Sequence, residues 1–446
     1  MRLFPMRESQ KTTFDKHDWF VEYVESSKNV NKRSTIINRN NYLAGNHKIK
    51  NKSDEVFNGK LIEAKKLITD YPNTITKFHT NYLYDKNVRI SGEENIAHDY
   101  AKVYERGNFH GANTRVTYIL QRHGEVYEYC YSQDGVLKPH ILLPENSFPY
   151  YNRFNEMEAF VYSYHFEGST YYDVYYPDYV ESYVRKKESS NLKRLDQRAN
   201  ASGMLPYEYK LDSYTEDGKL EVDVDKIKNL VDEYEAQLSK NSDAVYKFLS
   251  GLLITKGQTM DKPLQMSKDS NGNVIALDDN GDAQFISNPL NTTAVKEELT
   301  ELKERISEAG LIPIIALGTA KADNISEETI RQFYKLADIK AAENIRILKN
   351  GFNQRHKAIR SILDKMGKKY TDDEFESLKT IFQTKEPNNY KEQAENMKIF
   401  YDTGAMSVES MVEQNPYVTN KKVEMERIRA EKSEREQTGK GEVEGK

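Results

Sequence analysis

The chain has 446 residues, with 65 Lys or Arg against 70 Asp or Glu and a formal net charge of −5 at pH 7. This length allows several domains with separate buried cores, but the acidic balance excludes a protein that grips nucleic acid through a broad basic face, since such binding relies on Lys and Arg displacing phosphate counterions. One cysteine, Cys130, excludes an intramolecular disulfide, and neither a signal peptide in residues 1–9 nor a membrane span of about 18 apolar residues is expected.

Residues 1–115 read as mixed and mostly helical. In 54–67, Val56, Phe57, Leu61, Ala64 and Leu67 recur at near-helical spacing, which predicts a helix. A second helical run, 68–88, carries Ile75, Phe78, Tyr82 and Leu83. From about Arg115 the period changes to two. Residues 125–131 are rich in β-formers, Asp134-Gly135 is a hairpin signal, and 136–143 follows as the return strand. Residues 160–166 and 171–176 continue the sheet, punctuated by Pro144, Pro149, Pro177 and Pro206. Many of the 31 tyrosines fall between Tyr118 and Tyr214, which suits half-buried strands and subunit interfaces.

In 223–249, Ile227, Leu230, Val231, Tyr234 and Leu238 form one apolar helix face, predicting a helix roughly 40 Å long. Residues 264–267, 274–277 and 284–287 read as three short strands, separated by Asn271-Gly272 and Asn280-Gly281, which supply the positive φ of tight turns. Thr292 or Thr293 then caps a helix with Val295, Leu299, Leu302 and Ile306 on one face. A β-meander between two amphipathic helices predicts an antiparallel stalk with a β tip. Residues 311–324 connect this to a long helix over 326–366, approaching about 60 Å, with a kink expected at Gly351. Residues 370–383 are mixed and return to a sheet. Residues 389–401 and 407–413 predict two short helices around Gly404, 423–436 a charged helix, and 437–446 a disordered tail.

No catalytic constellation emerges. The nine histidines are scattered, with no zinc-ligand spacing to one another or to Cys130, and read as solvated or core side chains. Asp278-Asp-Asn-Gly-Asp282 has its glycine in the wrong place for an EF-hand loop, so a hairpin turn is the simpler reading. Gly107-Asn-Phe-His-Gly111 matches neither phosphate-binding glycine pattern, and no Gly-x-Ser-x-Gly occurs. Asp372-Asp373 suits a solvated helix start. Arg185-Lys-Lys187 could touch phosphate, but a solvated loop is the simpler reading. No catalytic residue, cofactor or metal site is expected.

A series of short segments follows in order. These are Asn41-Tyr-Leu-Ala-Gly45, Tyr82-Leu-Tyr-Asp85, Gly124-Glu-Val-Tyr-Glu128, Gly203-Met-Leu-Pro-Tyr207, Leu230-Val-Asp-Glu-Tyr-Glu-Ala-Gln-Leu-Ser239, Glu386-Pro-Asn-Asn389, Gly404-Ala-Met-Ser407 and Glu424-Met-Glu-Arg-Ile428. From about residue 40 to 434 the series resembles the portal proteins of long-tailed phages of Gram-positive bacteria. Two departures stand out: Tyr82-Leu83-Tyr84-Asp85 lacks the glycine of the family's turn, and Ser326-Glu327 stands where such portals often have Ser-Gly.

The resemblance implies an α+β portal fold: an α/β wing, a two-helix stem, a small β-containing clip, a long kinked helix and a helical crown. In order, these are the N-terminal part of the wing (1–222), a stem helix (223–250), the clip (251–292), the second stem helix (293–310), a tunnel loop (311–325), the long helix with the C-terminal part of the wing (326–389), the crown (390–436) and the tail (437–446). Ala316, Gly318, Thr319, Ala320 and Lys321 would face a DNA channel; Lys268, Asn271, Gly272, Asn280 and Gly281 would bind partners at the clip. The implied partners are copies of itself in a ring of about twelve, double-stranded DNA passing through, the terminase packaging ATPase, a head-completion or adaptor protein, and major capsid and scaffolding proteins, with no membrane. The chain would not be an enzyme, and would sit at the portal vertex of the virion after assembly in host cytoplasm. The alternatives are another structural head–tail component, such as an adaptor or scaffold, and a metal-dependent nucleic-acid-processing enzyme. The latter would need clustered carboxylates near a Lys.

Overall fold

The computed structural model describes residues 18–57, 60–84, 86–186, 191–216, 218–248, 252–256, 282–286, 292–317, 327–384, 390–415, 418, 421 and 424–432. The chain divides into two units, one comprising 1–324 with 332–385 and the other 325–331 with 386–446.

The first unit begins with α1 (Trp19–Val24) and α2 (Ser27–Leu43), followed by β1 (Glu55–Phe57), β2 (Lys60–Ile62) and α3 (Tyr71–Tyr82). The helix expected over 54–67 is thus a β-hairpin followed by extended chain. Val56 and Leu61, counted toward a helical face, are cross-strand partners and stand 72% and 71% exposed. With no core beneath them the apolar period had nothing to pack on, and Asn58-Gly59, between the strands in sequence, is the turn signal that reading passed over. In α3 the expected helix is found, with Pro72 in the first turn, where its missing N–H has no intrahelical partner to lose.

After β3 (Arg89–Ser91) come α4 (Glu94–Arg106) and α5 (Phe109–His123). The period-two reading from Arg115 began too early. Val116, Ile119, Leu120 and His123 are buried at helical spacing, and the helix stops only at Gly124, whose φ of 80° suits a glycine closing a helix. Next are β4 (Glu125–Gln133) and β5 (Val136–Leu142). Asp134 and Gly135 have φ of 53° and 75°, the left-handed pair of a tight hairpin turn. The strands β6 (Ser147–Tyr151), β7 (Met157–Phe166), β8 (Ser169–Tyr175), β9 (Tyr179–Lys186), β10 (Leu192–Ala199) and β11 (Tyr207–Lys210) complete the β region.

These strands form two sheets, where the sequence suggested one. β6 to β10 make an antiparallel meander in sequential order, while β11, β4 and β5 form a separate sheet. Tyr127, Tyr129 and Leu142 of the smaller sheet share a core with Phe160, Tyr175 and Val180 of the larger. Trp19, Phe20 and Val24 of α1 bury another part of the larger sheet against Phe148, Tyr172, Val174 and Tyr183. The abundance of tyrosine has an internal explanation here. The rings fill cores while the hydroxyls reach partners, as Tyr209 donates to Glu128 at 2.7 Å and Tyr129 to Asn200 at 3.1 Å. Arg185, read as part of a solvated basic loop, instead lies in β9 and pairs with Glu25 at 2.6 Å.

The chain continues through α6 (Asp223–Phe248), β12 (Leu252–Lys256), β13 (Asp282–Ile286) and α7 (Thr292–Ala309). Helix α7 thus starts at Thr292. The strand expected at 284–287 corresponds to β13, which pairs antiparallel with β12, a strand the sequence reading missed. The strands expected at 264–267 and 274–277 lie outside the described residues.

Helix α8 (Glu327–Lys365) has 39 residues, about 58 Å at 1.5 Å per residue. It is continuous in hydrogen bonding through Gly351, where a kink was expected. The glycine serves packing: a Cβ there would come within 2.1 Å of Tyr209 Cε1. Ala337, Ala341, Leu348, Phe352, Ile359 and Ile362 bury the helix in the main core, against Tyr100, Val116, Leu120 and Val126 among others. Arg355 also enters this core, fully buried with Glu128, at 2.7 Å between Nη2 and Oε2. Next, α9 (Asp372–Glu376) opens on a capping box of Thr371 and Glu374, as the solvated acidic helix start required. β14 (Lys379–Ile381) then pairs with β3, returning the chain to a sheet.

In the second unit lie α10 (Tyr390–Asp402) and α11 (Val408–Gln414), the two short helices read from sequence. Gly404 lies between them at φ 75°, and the Ser407 hydroxyl accepts from Ser410 N at 3.2 Å as the α11 cap. Residues 424–432 are helical. The tail 437–446 lies outside the described residues.

Candidate functional site

The feature best suited to a specialised role is the α6–α7 hairpin with the segments at its two ends. Ile227, Val231 and Tyr234 of α6 are buried with Ile306 of α7, and Leu230, Leu238, Leu299 and Leu302 flank them. The start of α6 thus meets the end of α7, while β12 and β13 join their other ends, so the helices run antiparallel. The Lys303 ammonium sits 5.9 Å over the Tyr234 ring. Burying this stripe is the hydrophobic term that holds the pair together, at roughly 1.5–3 kcal/mol per fully buried large apolar side chain.

Charged groups fix the base of α6. Lys340 of α8 reaches Asp223 at 3.1 Å, both nearly fully buried. Arg39 of α2 donates to Asp225 Oδ2 at 2.6 Å and to the carbonyls of Leu220 and His123 at 2.6 and 3.0 Å. Each buried charge is paired and hydrogen-bonded, the condition under which burial is tolerated.

Farther along α6 a polar row accepts main-chain amides from the extended chain before α3. Glu235 accepts from Thr69 N at 2.7 Å, Ser239 from Leu67 N at 3.0 Å and Asp243 from Lys65 N at 3.1 Å. The geometry follows from two periods. Four helical residues advance about 6.0 Å and two extended residues about 6.6 Å, so acceptors four apart match alternate amides. His47 Nδ1 lies 2.7 Å from Glu235 Oε1, and Lys52 Nζ pairs with Asp243 Oδ2 at 2.5 Å. Sequence reasoning missed this row. The only available signal was Glu, Ser and Asp at four-residue intervals beside the apolar stripe.

Just past the C-terminal end of α7, Ile312 and Leu317 are buried with Ile75 and Ile306. Residues 314–317 form a 3₁₀ turn in which Ala316 is exposed. Of the residues expected in the tunnel loop, Ala316 is therefore placed at this turn, and Gly318, Thr319, Ala320 and Lys321 lie outside the described residues. So do Lys268, Asn271, Gly272, Asn280 and Gly281, the expected clip contacts.

On the outer side of α7, Glu297, Glu298, Glu301, Glu304 and Glu308 are exposed alongside Lys296 and Arg305, and Arg305 is engaged with Glu301 at 2.6 Å. A surface of this sign repels phosphate. His79, beneath the end of α7, has its pKa lowered by burial. Burial likewise raises the Cys130 thiol, leaving a poor nucleophile in the core. A cleft of about 1190 Å³ lies beside β11 and α8, lined by Tyr151, Met204, Tyr207, Glu208 and Gln354 among others. Its Glu208 accepts the Tyr151 hydroxyl at 2.6 Å, and no nucleophile–base pair is evident among these residues. Among the described residues no group of three or more His, Cys, Asp or Glu is placed to hold a metal ion. Among them, too, no helix is long and apolar enough to cross a membrane.

Comparison with known proteins adds three findings. A family model described as "Phage portal protein, SPP1 Gp6-like" matches residues 26–438. No curated protein matches the chain. Similar solved structures include the neck of an empty gene transfer agent particle computed with C6 symmetry, at TM-score 0.46 and 11% identity over 79% of this chain and 88% of that one. Another is the virion of a native gene transfer agent particle, at TM-score 0.45 and 12% identity over 78% and 93%.

Proposed function

The chain belongs to the SPP1 Gp6-like phage portal protein family, and we propose that it forms the ring at the capsid vertex through which double-stranded DNA is packaged and ejected. In this reading α6 and α7 are the stem and 251–292 the clip, which docks the terminase packaging ATPase and later the head-completion protein. Residues 311–325 are the tunnel loop, with Ala316, Gly318, Thr319, Ala320 and Lys321 toward DNA. The wing comprises 1–222 and part of 326–389, and the crown 390–436. The ring assembles in host cytoplasm with capsid and scaffolding proteins and remains in the virion.

The observation that carries this reading is the anchored α6–α7 hairpin. Its base is tied to α2, α3 and α8 by buried ion pairs and an apolar core, and its far end carries the β12–β13 pair. A rigid helical wall with an acidic outer side suits a duplex that must slide without sticking. A closed ring of one subunit needs head-to-tail interfaces. The adaptor, scaffold and nuclease alternatives draw no support from the family match. Native mass spectrometry with electron microscopy of the purified protein tests the proposal. The expected result is a holed ring of about a dozen subunits. A stable monomer or dimer at every salt concentration would overturn it.

A further inference from the structure

Two surfaces of the first unit are bare and of complementary character. One is a face of the β1–β2 pair. Val56 and Leu61 are cross-strand partners, so their side chains share a face, and both stand in solvent. The two strands have no third neighbour among the described residues, and a two-stranded hairpin is marginally stable alone in water. Its root is nonetheless fixed. Ala64 N donates to Asp54 Oδ1 at 3.0 Å across the base of the pair. Asp243 of α6 holds the chain before and after it, through Lys52 Nζ at 2.5 Å and Lys65 N at 3.1 Å. An apolar face is thus presented from a rigid helix and left uncovered. Lys65 and Lys66, shortly after β2, are exposed and have no carboxylate partner among the described residues. The other surface is the cleft of about 1190 Å³ beside β11 and α8, which has Met157, Met204, Leu205 and Ile347 in its walls. That volume is ample for a valine and a leucine side chain. Glu208 lines it, and the exposed Glu156 lies between the lining residues Asn155 and Met157. Neither carboxylate has a cation within ion-pair distance among the described residues. The nearby cations are placed elsewhere, Arg346 3.7 Å from Asp212 and Lys210 Nζ 6.0 Å over the Tyr214 ring.

We propose that the Val56–Leu61 face of one copy seats in this cleft of the next copy, with Lys65 and Lys66 toward Glu156 and Glu208. The inference rests on the proposed ring only in taking the partner to be a second copy of this chain. A ring of many copies needs two different surfaces of one subunit to meet, and here each surface carries what the other lacks. The seated face removes two aliphatic side chains from water. The unpaired lysines and carboxylates fix which surface meets which.

Cysteine crosslinking of the full-length assembled protein tests this, and the one native cysteine, Cys130, is buried in the core. Leu61→Cys is combined in turn with Met157→Cys, Met204→Cys and Leu205→Cys and treated with a short bismaleimide. At least one pair should give a ladder on denaturing gels, each band one subunit larger, while no single variant does. A product that stops at two subunits with Leu61→Cys alone would show the β1–β2 faces meeting each other and overturn the inference. So would the absence of a ladder from every pair while native mass spectrometry shows rings. Val56→Asp with Leu61→Asp alters only solvent-exposed side chains and should raise the protein concentration at which rings dissociate by about tenfold or more. Rings as stable as wild type in that variant would also overturn it. Native mass spectrometry of the wild type separates this inference from the reading beneath it. Rings without these crosslinks overturn the seating alone, and a wild type that forms no ring overturns the proposed function.

Discussion

Replacing Arg355 by Met should strongly destabilise the first unit. Arg355 and Glu128 are each 0% exposed, and two guanidinium nitrogens donate to the carboxylate, at 3.0 and 2.7 Å to its nearer oxygens. Nη1 also donates to Asn113 Oδ1 at 2.5 Å, and the guanidinium lies 4.4 Å over the Phe352 ring. Burial is the largest single effect and works against the charge of Arg355, but the Glu128 carboxylate with Tyr209, Tyr104 and Tyr207 together outweigh it and hold the pKa above its ordinary value. Arg355→Met leaves Glu128 buried with Tyr209 as its remaining donor among these contacts, and removing one partner of a buried pair costs about 3–5 kcal/mol. Scaled to a large domain, that is a fall of roughly 10 °C in melting temperature. Arg355→Met with Glu128→Leu removes the orphaned charge but strands the Tyr209 hydroxyl, a penalty of about 1–3 kcal/mol. Adding Tyr209→Phe should bring the protein back toward wild type. Urea unfolding followed by Trp19, the only tryptophan, measures the series. A loss below about 1 kcal/mol for the single variant, or a triple variant no better than the single, would refute the reasoning.

Acid should destabilise the fold through His123 and His356, both pushed down to about 3, by burial first and then by neighbouring arginines. Each is neutral when folded but takes up a proton near pH 6.5 when unfolded, so its contribution is complete above about 6.5 and is lost as pH falls toward 3, at about 1.4 kcal/mol per pH unit. His356→Gln should flatten the dependence of the urea midpoint between about pH 6 and 5; an unaltered slope would be contrary. Gly351→Ala should destabilise by about 1–3 kcal/mol through overpacking, since its Cβ meets the Tyr209 ring at 2.1 Å; calorimetry showing a neutral or stabilising effect would contradict that contact. Acidic or bulky residues at Thr319 and Lys321 should lower the DNA packaged per head while rings still form, as gel sizing of extracted DNA would show, and wild-type packaging by both would remove the tunnel-loop reading.

The long helices were legible because each carries an apolar stripe at one period for many turns. Ile227 to Leu238 in α6 and Leu299 to Ile306 in α7 were read residue for residue, and they meet as that reading required. The Asp134-Gly135 turn was legible because few residues accept two successive positive φ values. The hairpin at 55–62 was not. Val56 and Leu61 stand exposed, so their spacing obeys no buried face, and a period counted over so few residues cannot separate the alternatives. The division of strands into two sheets was hidden for a different reason. Strand patterns give the faces of a strand, but the partner of β4 on its free edge is β11, which lies beyond six intervening strands.

The candidate site was legible where it is apolar and hidden where it is polar. The row of Glu235, Ser239 and Asp243 binds main-chain amides, and every residue except proline presents the same amide, so the sequence of 65–69 carries no trace of the match. Buried ion pairs are hidden in a related way, because Asp223 and Lys340 are far apart in sequence and each looks like an ordinary surface charge on its own helix. These anchors run along α6 from Asp223 to Asp243, and none of them involves the exposed glutamates of α7. Rigidity and acidic charge are therefore built from different residues of one hairpin. Substitutions on the outer side of α7 can tune how a charged partner slides past without loosening the base, because solvated charges contribute little to stability, whereas changes at Asp223, Arg39 or Glu235 must act on the fold first.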